Sequence, residues 1–267
     1  MFPLRLAKYL PRMLRVALFG DRDRFGPLAD PSDKDWLLWR QLDLQCYDEN
    51  QRQSVGSVVN TAGHRIMQQV ALEGQIVLEI GPGNLDHMAF WSGKPAQFIA
   101  VDINEGFMAR AVEKLAAAQV PTRTLITSPL DNGRVPLADG SVDLVLSFYS
   151  LEHLHPLGAY LDEILRVLKP GGRLVFAIPC EGGLGWGLGR YITTRRWLLA
   201  NGIADPGKII AWEHPNFADD IIRAVQSRFA TRTLRFWPLA VPVVDLNLVA
   251  SVIAEKAGQT VAPENSH

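Results

Sequence analysis

The sequence predicts an α/β protein built on a doubly wound, mostly parallel sheet, with helices ahead of it and an insertion late in it. Three observations carry this. Short, almost continuously apolar runs recur at 75–80, 98–102, 142–147 and 173–179. Segments with helical spacing separate them. Residues 105–119 repeat Phe107, Met108, Ala111, Val112 and Leu115, and 157–168 runs into Lys169-Pro170-Gly171-Gly172. The first run stops at Gly81-Pro82-Gly83, where a strand turns into a helix. Strands apolar on both faces that alternate with helices form a parallel sheet covered on both sides. Ligands of such sheets bind beyond the carboxyl ends of the strands.

Around this centre the chain divides into an N-terminal arm and helices (1–72), a main domain (73–256) and a tail (257–267). An insertion at 180–216, rich in Gly and Trp and without a clear period, interrupts the main domain before a helix and two final strands at 217–256. The 267 residues, 48% hydrophobic and 21% charged, suit one large domain or one domain with additions and exclude wholesale disorder. Lys plus Arg (27) balances Asp plus Glu (28), so no global attraction to nucleic acid is expected. Two cysteines, Cys46 and Cys180, make no disulfide framework, and a cytoplasmic, reducing compartment is the expectation. The longest apolar stretch, 237–254, holds Pro238, Pro242, Asp245 and Asn247 and does not read as a membrane span.

The glycine turn suggests a ligand. Glycines at a strand end let the backbone turn sharply and approach a bound molecule. A dinucleotide fingerprint needs a third glycine at position 86, and Asp86 stands there, which argues against a pyrophosphate cradle and an oxidoreductase. Asp102, 19 residues after Gly83, ends the second apolar run, where a carboxylate accepts both hydroxyls of a ribose. The plainer alternative is a simple turn, with Asp102 capping the helix that begins near Glu105.

Five stretches in order resemble the motifs of class I S-adenosylmethionine-dependent methyltransferases. They are Val77-Leu78-Glu79-Ile80-Gly81-Pro82-Gly83, Val101-Asp102, Leu137-Ala138-Asp139-Gly140-Ser141-Val142-Asp143-Leu144-Val145, Ser150-Leu151-Glu152-His153-Leu154 and Leu165-Arg166-Val167-Leu168-Lys169-Pro170-Gly171-Gly172-Arg173-Leu174. The branch is the broad one that includes ubiquinone-biosynthesis-type enzymes. The resemblance implies a Rossmann-like sheet with an antiparallel final strand and S-adenosyl-L-methionine as cofactor. It places Gly81 and Gly83 under the methionine and ribose, Glu79 by the methionine amino group, Asp102 on the ribose hydroxyls and Ile103 against the adenine. Asp131 matches the acid that contacts the adenine amino group, although Leu130-Asp131-Asn132 replaces the usual Gly-Asp-Ala. Ser147 and Phe148 follow the strand under the cofactor, and Tyr47 and Asp48 close over its methionine end. The Glu152-His153 pair stands in this family without a metal, so no metal is expected.

The acceptor side rests on fewer signals. Methyl transfer from a sulfonium needs a positioned acceptor and, for a hydroxyl, a base. His153, just beyond the strand carrying Ser147, and His214, in Trp212-Glu213-His214-Pro215-Asn216, are the candidate bases, with Glu213 beside them. Capping or packing is the alternative for His153, and a surface turn for His214. Trp186 and Arg190, among the glycines of the insertion, suggest a lid that binds a sugar face and an anion. The expected acceptor is therefore a small molecule or glycan. O-methylation of a saccharide, free or lipid-linked, stands first, C-methylation of a quinone-like or other small molecule second, and a cofactor-binding partner without transfer third. Arg5, Lys8, Arg12 and Arg15 share one helical face within 2–19, which suggests peripheral contact with an anionic membrane, or else a helix packed on the domain.

Overall fold

The computed structural model describes residues 4–42, 54–126 and 134–258. Its strands are β1 (Ile76–Ile80), β2 (Gln97–Asp102), β3 (Thr122–Ile126), β4 (Val142–Phe148), β5 (Leu168–Pro179), β6 (Ala230–Trp237) and β7 (Val249–Glu255). They form one sheet in the order β3-β2-β1-β4-β5-β7-β6. The first five run parallel, and β7 lies antiparallel between β5 and β6. Because β1 to β5 are parallel, their carboxyl ends share one edge. The strand order reverses between β1 and β4, which places the crevice beside the glycine turn.

The helices are α1 (Arg12–Phe19), α2 (Arg22–Phe25), α3 (34–42), α4 (Ser54–His64), α5 (Glu105–Ala117), α6 (Leu157–Val167), α7 (Leu184–Ile192), α8 (Thr194–Ala200), α9 (Pro206–Glu213) and α10 (Ala218–Gln226). Alternate residues of the central strands face opposite layers. Val77, Leu144, Leu146 and Val175 pack with Met108, Ala111 and Leu115 of α5. Leu78, Val145, Leu174 and Phe176 pack with α6 and α10 through Leu161, Ile164, Ile221 and Val225. Side chains alternate along a strand, so two covered faces require the unbroken apolar runs seen in the sequence. Asn104 caps α5 by accepting the Gly106 and Phe107 amides at 2.9 and 3.2 Å. Asp205 caps α9, with Pro206 in its first turn.

Three features differ from the sequence expectation. β3, Thr-Arg-Thr-Leu-Ile, is an extra strand paired with β2 from Phe98↔Thr122 to Asp102↔Ile126. It is an exposed edge, so nothing selects the apolar pattern that marks a covered strand. The insertion is helical, not irregular. A Cβ on Gly187 would lie 2.5 Å from Cε1 of Phe19, so that glycine serves close packing of α7 on α1 rather than a loose lid. The arm is not one basic helical face. Pro11 starts α1 after a short 3-10 turn (Ala7–Tyr9), and Arg5 turns inward, with Nε 2.7 Å from Asp219 Oδ1.

The arm and the insertion are tied together. The buried Asp245 carboxylate, before β7, accepts the Ala7 amide at 3.0 Å and the Leu184 amide at 3.3 Å, and it also takes the Leu6 amide. Asp35 of α3 accepts the Ala204 and Asp205 amides, both at 3.0 Å. Trp39, Leu198, Ile203, Ile209 and Trp212 form a separate apolar cluster that joins α3 to α8 and α9.

Candidate active site

The first half of the site grows from the ends of β1, β2 and β4. Gly81 has φ +71° and Gly83 φ +51°, a region that side chains other than glycine's rarely occupy. A Cβ on Gly81 would fall 2.6 Å from Cβ of Ser150. Ser150 Oγ donates to the Ile80 carbonyl at 2.8 Å, so the Ser147 hydroxyl, 2.5 Å away, donates to Ser150. Ser147 is thus buried beneath the glycine turn and holds it through Ser150, a residue the sequence had not singled out for a role. Asp86 opens a 3-10 turn (Asp86–Phe90) and pairs with Lys114 at 3.1 Å.

Glu79 lies fully buried, with His87 Nε2 2.9 Å from Oε1 and 3.1 Å from Oε2. Trp91 Nε1 donates to His87 Nδ1 at 2.9 Å, which fixes the tautomer: the proton sits on Nε2 and points at Glu79. Burial raises the Glu79 carboxyl, and His87 opposes that rise. Phe148 stacks on His87 with centroids 4.7 Å apart. The histidine that links Glu79 to Phe148 has no spacing signal in the sequence. Asp102 ends β2, accepts the Asn104 amide at 2.8 Å and is raised by burial. Ile103 stands next to it, 48% exposed. Asp131, Tyr47 and Asp48 lie outside the described residues.

The second half gathers where β4 and β5 end. Glu181, fully buried two residues after β5, is its centre. Arg190 clamps it with both terminal guanidinium nitrogens, the Nη1 contact being 3.1 Å. Trp186 Nε1 donates to it at 3.1 Å, and Arg22 Nη2 lies 3.5 Å away. His214 Nδ1 is 2.9 Å from Glu181 Oε2, close enough to donate to it. Burial, then the neighbouring Arg190, His153 and Arg22, push the His214 imidazole well below its ordinary range, so it is neutral at neutral pH. Trp186, Arg190 and His214 therefore meet as expected for one site, but all three are committed to an acid the sequence had not marked.

His153 lies against His214, with ring centroids 4.6 Å apart. Its Nδ1 is 2.6 Å from the Glu213 carbonyl, which accepts only, so the proton is on Nδ1 and Nε2 keeps its lone pair. The Glu213 carboxylate lies 3.5 Å from the same Nδ1, and Trp39 holds its other oxygen. Asn216 donates to the Leu151 and Leu154 carbonyls at 3.0 and 2.7 Å and so pins the His214 turn to the loop that carries His153. Among the described residues no group of three or more His, Cys, Asp or Glu side chains is arranged to hold a metal.

Glu152 is the strained member. It is buried, its Oε2 has no hydrogen-bond partner, and burial pushes its carboxyl from 4.5 up to about 7 against the pull of His153 and Arg190. The folded chain holds that proton to a higher pH than the unfolded chain does. The unfolded state therefore binds fewer protons from about pH 4.5 to 7, and stability falls as pH rises through that window. Glu152→Gln is expected to remove a loss on the order of 2 kcal/mol between pH 5 and 8. Urea denaturation at both pH values checks this. An equal fall in the variant and the wild type would assign the dependence elsewhere.

Comparison with known proteins agrees with this geometry. Residues 78–176 match the family model described as a methyltransferase domain. The chain is 28% identical over 185 residues to a demethylmenaquinone methyltransferase of Thermobifida fusca, covering 64% of this chain and 76% of that one. It is 31% identical over 132 residues to a malonyl-[acyl-carrier protein] O-methyltransferase of Yersinia pestis, covering 49% of this chain and 47% of that one. Thus it spans about three quarters of the first relative and about half of the second. The N-methyltransferase NodS of Bradyrhizobium japonicum, solved with S-adenosyl-l-homocysteine, shares the fold at a TM-score of 0.53 and 16% identity, over 84% of this chain and 93% of that one. The chain is a class I S-adenosylmethionine-dependent methyltransferase. The curated relatives it resembles include quinone-biosynthesis methyltransferases. Among its described residues no helix is long and apolar enough to cross a membrane.

Proposed function

We propose that this enzyme methylates a small hydroxylated molecule of phenol or enol type, with His153 removing the proton. One observation carries the reading. His153 is held by the Glu213 carbonyl in the tautomer that leaves Nε2 as a proton acceptor, on the edge where Gly81 and Asp102 also lie. Its side chain is partly open, whereas His214 beside it is closed in by Glu181 and Arg190.

The residues present fit the cofactor. Gly81 and Gly83, both left-handed, turn the chain sharply at the end of β1, and the Asp102 carboxylate ends the neighbouring strand, where two ribose hydroxyls would reach it. Ile103, half exposed beside Asp102, would offer an apolar surface to the adenine, and Glu79, buried against His87, would attract the methionine ammonium from behind the turn. Phe148 and Ser147 support this wall through His87 and Ser150 rather than from its surface. When bound, S-adenosylmethionine supplies a methyl group already activated on a sulfonium. The chain's own work is to align the acceptor and take its proton. His153 Nε2 would take the proton of the acceptor hydroxyl, leaving that oxygen, or the carbon conjugated with it, able to accept a methyl group as the methyl–sulfur bond breaks and the sulfur leaves as a neutral thioether. Glu152 Oε1 lies 4.0 Å from that Nε2. Trp186 and Arg190, expected to face a sugar, are bound to Glu181, so no observation favours a saccharide over the phenol class.

Two measurements follow. Asp102→Ala is expected to weaken S-adenosylmethionine binding by about 1.5–3 kcal/mol, the range for hydrogen bonds to a charged group. An unchanged titration isotherm would remove the ribose role. Transfer of labelled methyl groups to a panel of phenols, quinols and sugars should label the first two classes. Label in sugars alone would overturn the acceptor class.

A further inference from the structure

The arm carries apolar side chains that the fold holds outward. Tyr9 is 75% and Met13 81% exposed, and Leu4 and Leu6 are about half exposed. These residues belong to a fixed backbone. Leu4 bridges to Val243, Leu6 and Ala7 donate to Asp245, and Leu18 and Phe19 at the end of α1 are buried. The bridge brings the arm alongside the loop before β7, where Leu239 and Leu246 are also exposed.

Basic groups alternate with these apolar ones. Arg5, Lys8, Arg12, Arg15 and Arg22 line a cleft beside Phe217, whose ring lies between Arg5 and Arg22, each 4.1 Å from its centre. Asp21 and Asp23 are the acids of that lining. Arg5, Arg12 and Arg22 pair with Asp219, Asp21 and Glu181. Lys8 and Arg15 enter no ion pair among the described residues, and Arg15 Nε is buried without a hydrogen-bond partner. A buried donor without an acceptor is costly, and a phosphate oxygen would relieve it.

We infer that this face docks on an anionic phospholipid surface, with the cleft receiving a headgroup phosphate while Leu4, Leu6, Tyr9 and Met13 enter the interface. The pairing of exposed apolar side chains with interleaved cations is what such a surface selects, since apolar burial and electrostatic attraction add there. The docked orientation brings the acceptor side toward the lipid, because Arg22 at the end of the cleft donates to the His214 carbonyl at 3.2 Å. The inference stands independently of the acceptor class proposed above.

Flotation with phosphatidylglycerol–phosphatidylcholine vesicles and with pure phosphatidylcholine vesicles tests it. The full chain should float with the first and not the second, and should be released by high salt. Lys8→Glu with Met13→Ser should lower vesicle binding by about tenfold or more while S-adenosylmethionine affinity stays unchanged. Equal binding to both vesicle types, or full binding by the double variant, overturns the inference. So does sedimentation showing a dimer that the double variant abolishes, which would assign the face to a second copy of the chain.

Discussion

Glu181→Ala is expected to cost about 3–5 kcal/mol of stability, the range for breaking a buried ion pair from one side. Glu181 is fully buried and receives Arg190, Arg22, Trp186 and His214. Removing it leaves two guanidinium groups in a low-dielectric site without their shared anion. Burial and the repulsion of Arg22 already hold Arg190 down to about 9. Arg22 lies on the arm and Arg190 on α7, so the loss should loosen the arm against the insertion as well as lower the global value. Urea denaturation measures the global value, and protection of the α1 and α7 amides from hydrogen exchange measures the loosening of the arm. Glu181→Gln keeps the shape and some hydrogen bonds and should cost less. Changing Glu181 and Arg190 together to apolar residues of similar size should recover much of the loss. If Glu181→Ala stays within about 1 kcal/mol of wild type, the cluster is not what joins the arm to the insertion.

The cofactor half of the site was far more legible in the sequence than the acceptor half. β1, the glycine turn and Asp102 lie within 27 residues, and covered parallel strands write themselves as continuous apolar runs. β3 escaped because an exposed edge strand has no such run. The α7 region read as irregular because Gly182, Gly183, Gly185, Gly187 and Gly189 each oppose a helix by intrinsic preference. Packing on Phe19 and on the loop before β7 overrides that preference, and no local pattern announces it. Glu181 and Arg22 were missed for a related reason. Each is a single charged residue, and they meet across 159 positions of chain, so only the fold shows the encounter. The one local hint was that Glu181 lies two residues past a strand whose carboxyl end faces the ligand edge. Ser150 lay inside a recognised motif, but its work on the Ile80 carbonyl depends on the pairing of β1 with β4.

His153→Ala is expected to lower the turnover number by about 10²–10⁴, as loss of a general base does, with S-adenosylmethionine affinity within a few-fold of wild type. The sequence offered His214 and His153 as rival bases, and the structure gives them different surroundings. His214 is enclosed and neutral, with Nδ1 turned to Glu181 and Arg190 packed 3.2 Å from it. His153 has its proton fixed on Nδ1 and keeps the lone pair of Nε2, 4.0 Å from Glu152. The two variants should therefore fail differently. His153→Ala should fold normally, bind cofactor and acceptor, and lose the chemical step. Added imidazole should restore part of the rate, because the missing group is a diffusible base in a partly open position. His214→Ala removes one partner from a buried cluster and should lower stability, with any loss of rate not rescued by imidazole. A rise in the Michaelis constant with little change in turnover for His153→Ala would make it an acceptor contact rather than the base. Full activity in His153→Ala, beside an inactive, folded and imidazole-rescued His214→Ala, would return the chemistry to His214.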